Sequence, residues 1–83
     1  MAIDYSRLGS LTARRLIHAL RQDGFTLDRQ TGSHQQYRHP DGRRVTVSYH
    51  RSGDTFRRSL LKIMIEDQAR WTEDDLKRLG LLK

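Results

Sequence analysis

Gly32-Ser33-His34 is the tripeptide of this chain best suited to chemistry. A glycine and a serine in a turn can direct backbone amides at a phosphate, and the histidine that follows begins a strand with a side chain that moves protons near neutral pH. A histidine at a strand start is more often structural or solvent-facing than catalytic. Three features shift that balance: nearby helix positions are cationic, the sheet face expected to carry His34 is polar, and His50 falls diagonally across the ladder. These residues outline an RNA-facing cleft. Gly32 and Ser33 are its candidate phosphate cradle, and Arg38, Arg44, Arg51, Arg57 and Arg58 its candidate cations.

The composition agrees with a polyanionic partner. Sixteen Lys plus Arg against ten Asp plus Glu leave a net charge of +6 in 83 residues, which attracts phosphates without regard to sequence. Charge alone also fits a protein that is basic for solubility, or one that docks an acidic partner. A chain of this length supports one core, so a single domain is expected: residues 1–10 as a flexible arm, 11–70 as the core and 71–83 as a C-terminal helical extension. Cysteine is absent, which excludes a disulfide framework and a thiolate zinc site. The start, Met1-Ala2-Ile3-Asp4-Tyr5, lacks the pattern of a signal peptide, and no apolar run is long enough to span a bilayer, so a soluble, cytoplasmic protein is expected.

Specific elements must hold the tripeptide in place. Ser10 or Thr12 can cap a helix in which Ala13, Leu16, Ile17 and Leu20 recur at helical spacing until Gly24 stops it. Its other side carries Arg14, Arg15, His18 and Arg21, a pattern more typical of a solvated helix surface than of a phosphate site. Phe25, Leu27 and Arg29 alternate as a first strand that ends at Thr31-Gly32-Ser33. His34 to His39 and Arg43 to His50 flank Pro40-Asp41-Gly42, a three-residue hairpin loop. Counting outward from it pairs Tyr37 with Val45, Gln35 with Val47 and His34 with Ser48. That register places Tyr37, Val45, Val47 and Tyr49 on a core face, and His34, Gln36, Arg38, Arg44, Thr46, Ser48 and His50 on a polar one. After Asp54 a second helix carries Phe56, Leu60, Ile63 and Met64 as its stripe, widened by Leu61 and Ile65. A third runs from the Thr72 N-cap, with Asp75 completing a capping box and Trp71 stapled to Leu76, to near Gly80. The fold class this order predicts is an α+β sandwich: a three-stranded antiparallel sheet covered on one side by helices, with a short extra C-terminal helix.

Gly24-Phe25, Gly32-Ser33-His34 with Tyr37, Pro40-Asp41-Gly42-Arg43 and His50 resemble the HicA toxins of bacterial toxin-antitoxin systems, over roughly Leu11 to Ala69. The resemblance implies a compact α-β-β-β-α fold similar to double-stranded-RNA-binding domains, activity as a translation-blocking mRNA interferase, and inhibition by a HicB-like antitoxin. It places the family's catalytic histidine on His34, the preceding glycine and serine on Gly32 and Ser33, and a strand-end histidine on His50. The chain departs from the family pattern in two places: Arg58-Ser59-Leu60 stands where Gly-Thr-Leu is frequent, and Ser48 where proline is common.

The chemistry expected on this basis is metal-independent, cofactor-free cleavage of mRNA. His34 takes a proton from a ribose 2′-hydroxyl, whose oxygen then attacks the adjacent phosphorus; an ordinary imidazole pKa of about 6.5 suits that step. Arg38, Arg44, Ser33 and the Arg51, Arg57, Arg58 region would offset the growing negative charge, and His50, His39 or water would protonate the leaving oxygen. A metal-dependent nuclease fits less well, because Asp28, Asp41, Asp54, Glu66 and Asp67 do not converge. Zinc bound by His34, His39 and His50 is disfavoured, because this register points His39 to the sheet face opposite the other two. The rival from another class is a non-catalytic module that binds structured RNA, which leaves His34 without a role.

Overall fold

The computed structural model describes residues 3–82, in the order 3-10 turn (Tyr5–Leu8), α1 (Ala13–Gln22), β1 (Thr26–Thr31), β2 (His34–Arg38), β3 (Arg44–Ser48), α2 (Arg58–Lys62) and α3 (Glu73–Arg78). α2 runs on without a break into a π-helical stretch, Ile63–Gln68. The three strands form one antiparallel sheet in the order β1-β2-β3, and the helices cover one of its faces. This is the α+β, dsRBD-like α-β-β-β-α sandwich with an added C-terminal helix. Within residues 1–10, Met1 and Ala2 lie outside the described residues. The rest does not behave as a free arm: the Asp4 carboxylate caps the 3-10 turn through the Ser6 amide, and Leu8 and Leu11 are buried. Two leucines one turn apart suffice to anchor so short a segment, which is too brief to show a period.

α1 starts at Thr12, whose hydroxyl accepts from the Arg15 amide. The next free amides of its first turn, Ala13 and Arg14, donate to the Asp54 and Ser52 carbonyls, so the loop after β3 is bolted to this helix end. Ala13, Leu16, Ala19 and Leu20 face the core. The helix stops at Gly24 (φ +105), where a Cβ would also lie 2.9 Å from His39 Nε2. Gly24→Ala therefore combines a left-handed backbone penalty with a steric one, and should lower stability by about 2 kcal/mol in urea titrations without changing the slope.

The β2–β3 register follows the sequence expectation pair by pair, from Arg38 opposite Arg44 to His34 opposite Ser48. The hairpin loop closes with His39 N donating to Arg43 O, and with Gly42 at φ +100. Tyr37, Val45 and Val47 are buried beneath the helices, and Tyr49 is half-buried. β1 departs from strict alternation, because a bulge between Leu27 and Arg29 leaves Asp28 unpaired. The stripe of the second helix is also turned from its expected position. The helix begins only at Arg58, so Phe56 enters the core from the preceding loop, Leu61, Met64 and Ile65 form the buried face, and Ile63 is 44 % exposed. The third helix matches the expectation, with both arms of the Thr72–Asp75 capping box made and Trp71 and Leu76 buried.

Candidate functional site

His34 lies on the sheet face opposite the helices. Cross-strand pairing sorts that face into three rows: Thr31–His34–Ser48, Arg29–Gln36–Thr46 and Thr26–Arg38–Arg44. None of these nine positions is acidic, and His34, Arg29, Arg38 and Arg44 are all exposed. Arg38 directly opposes Arg44, a like-charge pair that costs stability in a sheet unless an anion lies over it. Arg29 was missed by sequence reasoning. Alternation puts it with Leu27 on the core side, and only the bulge at Asp28 turns it outward.

The turn before His34 is a two-residue hairpin connection. Gly32 has φ +58 and Ser33 no positive φ, which fits a type II′ turn with glycine first. A Cβ on Gly32 would touch nothing within 4 Å, so glycine is required there by the backbone angle, and the outer surface of the turn is open. The Ser33 carbonyl accepts from the Tyr49 amide at 3.2 Å, fixing the turn to the end of β3.

On the helix side of the same turn lies an open cleft of about 330 Å³, lined by Gln30, Gly32, Ser33, Gln35, Tyr49 and His50. His50 therefore does not share the face of His34 as alternation predicts. β3 ends at Ser48, and the chain bends through His50 toward the helix layer, where strand parity no longer applies. The bend is held by the Asp54 carboxylate, which accepts from the His50 and Arg51 amides at 3.0 and 3.1 Å. The Arg51 and His50 amides hold that carboxyl below its ordinary pKa of 3.8. The structure thus gathers Gly32, Ser33 and His50 around the cleft, and sets His34, Arg38 and Arg44 on the other side of the turn.

The remaining candidates are dispersed. Arg51 is exposed in the bend, and Arg57 is exposed at the N-cap of α2. Arg58 lines a separate groove with Ile3, Tyr5, Ser59, Lys62 and Glu66. On α1, Arg15 donates to the Gly80 carbonyl and the Arg21 guanidinium stacks over the Tyr37 ring, so two of its four basic residues have structural partners. His39 is occupied as well: its Nε2 bonds the Asp23 carbonyl at 2.8 Å, its Nδ1 faces the Asp41 amide at 3.1 Å, and its ring meets Phe25 edge-on. It is a fixture of the hairpin loop, not a proton donor to a substrate. Among the described residues, no three of His, Asp and Glu are grouped to hold a metal, and no helix is long and apolar enough to cross a membrane.

Fold and site together define a small α+β domain of the dsRBD-like class, with a cationic, histidine-bearing sheet face. The family model described as HicA toxin of bacterial toxin-antitoxin matches residues 13–71 of the 83-residue chain, so the chain belongs to the HicA toxin family. It is the toxin of a toxin-antitoxin pair, and an antitoxin is its partner. No curated protein matched the chain.

Proposed function

We propose that this toxin is a cytoplasmic, metal-independent endoribonuclease that cuts mRNA, with His34 as the acid-base group. The observation that carries the reading is an exposed imidazole on a sheet face whose nine paired positions include three arginines and no acid. His34 takes the proton of a ribose 2′-hydroxyl. The 2′-oxygen forms a bond to the adjacent phosphorus while the bond to the 5′-oxygen of the next nucleotide breaks. Arg38, Arg44 and the previously missed Arg29 offset charge on the phosphoryl oxygens, and the open amide edge at Gly32 and Ser33 holds a neighbouring phosphate. The departing 5′-oxygen takes its proton from water, since His50 lies in the cleft on the other side of the turn. Arg51, Arg57 and Arg58 extend the positive surface for the flanking strand. A HicB-like antitoxin silences the toxin by covering the face that carries His34.

Purified toxin incubated with RNA in excess chelator should produce 2′,3′-cyclic phosphate and 5′-hydroxyl ends, and adding the antitoxin should stop their appearance. A 2′-deoxy substitution at the cut should abolish cleavage there. RNA that is bound but not cut would favour the non-catalytic module.

The like-charge pair supplies a second test. Arg44→Gln relieves repulsion across the ladder, so thermal stability should hold or rise by a few tenths of a kcal/mol while RNA affinity falls. The slope of log K against log salt should become shallower by about 0.7 for a single strand. A loss of stability together with unchanged affinity would remove Arg44 from the interface.

A further inference from the structure

We infer that the cleft on the helix side of the Gly32-Ser33 turn seats one unpaired nucleotide of the substrate, read through Gln30 and Gln35, and that the toxin therefore acts on single-stranded and not duplex RNA. The inference rests on the RNA-cleaving reading above and adds to it a substrate class and two specificity residues.

Size comes first. At about 330 Å³ the cleft falls at the low end of the range, roughly 300–1,000 Å³, in which small-molecule-sized ligands are held. It matches a single nucleotide better than a base pair. Its chemistry is that of a base edge. Gln30 and Gln35 are cross-strand partners, so their amides stand side by side on the helix-facing side of the sheet. Each amide is oriented by a neighbour. Gln35 Oε1 accepts from the Tyr37 hydroxyl at 2.6 Å, which leaves its NH2 for the cleft, and Gln30 Nε2 donates to the Gly32 carbonyl at 3.3 Å, which leaves its oxygen. Burial pushes the Tyr37 hydroxyl above its ordinary pKa of 10.0, keeping it a donor. A donor beside an acceptor matches the Watson–Crick edge of a base, and that edge is free only when the base is unpaired. Tyr49 and His50 line the same cleft, and neither side chain has a hydrogen-bond partner among the described residues. An aromatic ring and an imidazole beside two oriented amides are the usual components of a splayed-base site.

The position of the cleft links it to the cutting step. Its lining includes Ser33 and Gln35, the residues on either side of His34. A strand with one base seated there would cross the open outer surface of the turn at Gly32 and bring its next phosphodiester to the His34 face.

Two measurements test this. The first compares the wild type with Gln30→Ala/Gln35→Ala on RNAs that place each of the four nucleotides beside one cut site. The variant should still cut, with kcat/KM at the preferred site about ten- to hundredfold lower and the nucleotide preference flattened. An unchanged preference and rate would overturn the inference, as would wild-type cleavage of that site at equal rate within a duplex. The second uses the non-cutting His34→Ala protein and an unpaired oligonucleotide. The Gln30 and Gln35 side-chain amide resonances should shift with the single strand and stay in place with the duplex, and unshifted resonances with the single strand would overturn it. Shifted resonances with no cleavage by the wild type would uphold the seat and reject the nuclease.

Discussion

A protein carrying His34→Ala is expected to keep its thermal midpoint and to cut RNA about 10²- to 10⁴-fold more slowly. The two parts of that expectation have separate causes. The ring is exposed at the start of β2, contributes nothing to the core, and precedes a hairpin register fixed by Tyr37, Val45 and Val47, so its removal should cost no more than about 0.5 kcal/mol. The rate loss follows if His34 is, as proposed, the group that accepts the 2′-hydroxyl proton, a step arginines on the same face cannot replace, since guanidinium does not deprotonate near neutral pH. RNA binding should persist, because Arg29, Arg38 and Arg44 remain. Cleavage equal to wild type by a purified His34→Ala protein, free of contaminating nuclease by a mock preparation, would end the catalytic assignment. Loss of binding along with cleavage would turn His34 into a contact residue.

The second large effect concerns stability. Asp23 follows the last turn of α1, is only 10 % exposed at its side chain, and accepts from Trp71 Nε1 at 2.9 Å, Arg43 at 3.1 Å and Arg78 at 2.9 Å. Its backbone carbonyl holds His39, and Arg43 lies over the Phe25 ring while donating to Asp41 and to the Ala69 carbonyl. This one carboxylate therefore joins the end of α1, the hairpin loop and the C-terminal segment. Asp23→Ala leaves the indole N–H without its acceptor and takes one of three acceptors from the largely buried Arg43 guanidinium, which should cost about 3 kcal/mol. In a domain of this size that corresponds to a midpoint lower by roughly 12–24 °C. Trp71 is the only tryptophan, so indole fluorescence reports the change directly. Burial acts to raise the Asp23 pKa, but the bonds from Trp71 and Arg78 and the charge of Arg43 outweigh it and hold the group below its ordinary 3.8. A depressed carboxyl stabilises the fold above the unfolded-state value and loses that contribution as pH falls through the folded-state value. Wild-type stability should accordingly drop below about pH 4, and Asp23→Asn should start lower and show less of that drop. A change in midpoint of only a degree or two would show that the network contributes little.

Local signals were enough where the chemistry is local. Pro40-Asp41-Gly42 set the hairpin register, and with it the placement of His34 opposite Ser48, because a three-residue loop with a left-handed glycine admits few alternatives. The Thr72–Asp75 box and the Gly24 stop were equally legible. The sequence was silent where one extra residue or a distant partner decides the geometry. The bulge at Asp28 rotates Arg29 to the cationic face, the bend after Ser48 carries His50 away from His34, and the late start of α2 moves the stripe onto Leu61 and Ile65. In the sequence Asp23 and Arg78 look like ordinary surface residues, Arg43 like part of a hairpin loop and Trp71 like a staple to Leu76, and the 20 to 55 positions between Asp23 and its three partners conceal their meeting. The family match ends at Trp71, so beyond the Thr72–Asp75 box the last residues offer only local helix signals, which do not reveal that Leu79, Leu81 and Leu82 fold back into the core.

That segment bears on whether the domain holds together at all. Trp71, Leu76, Leu79, Leu81 and Leu82 are five of the twenty buried apolar residues among the described positions, and Trp71 and Arg78 are two of the three donors to Asp23. A chain truncated before Trp71 would lack a quarter of that interior and two of those three donors. Truncation before Trp71 should therefore loosen the helix layer beneath the sheet that carries His34, which makes this segment part of the domain's foundation and not an appendage.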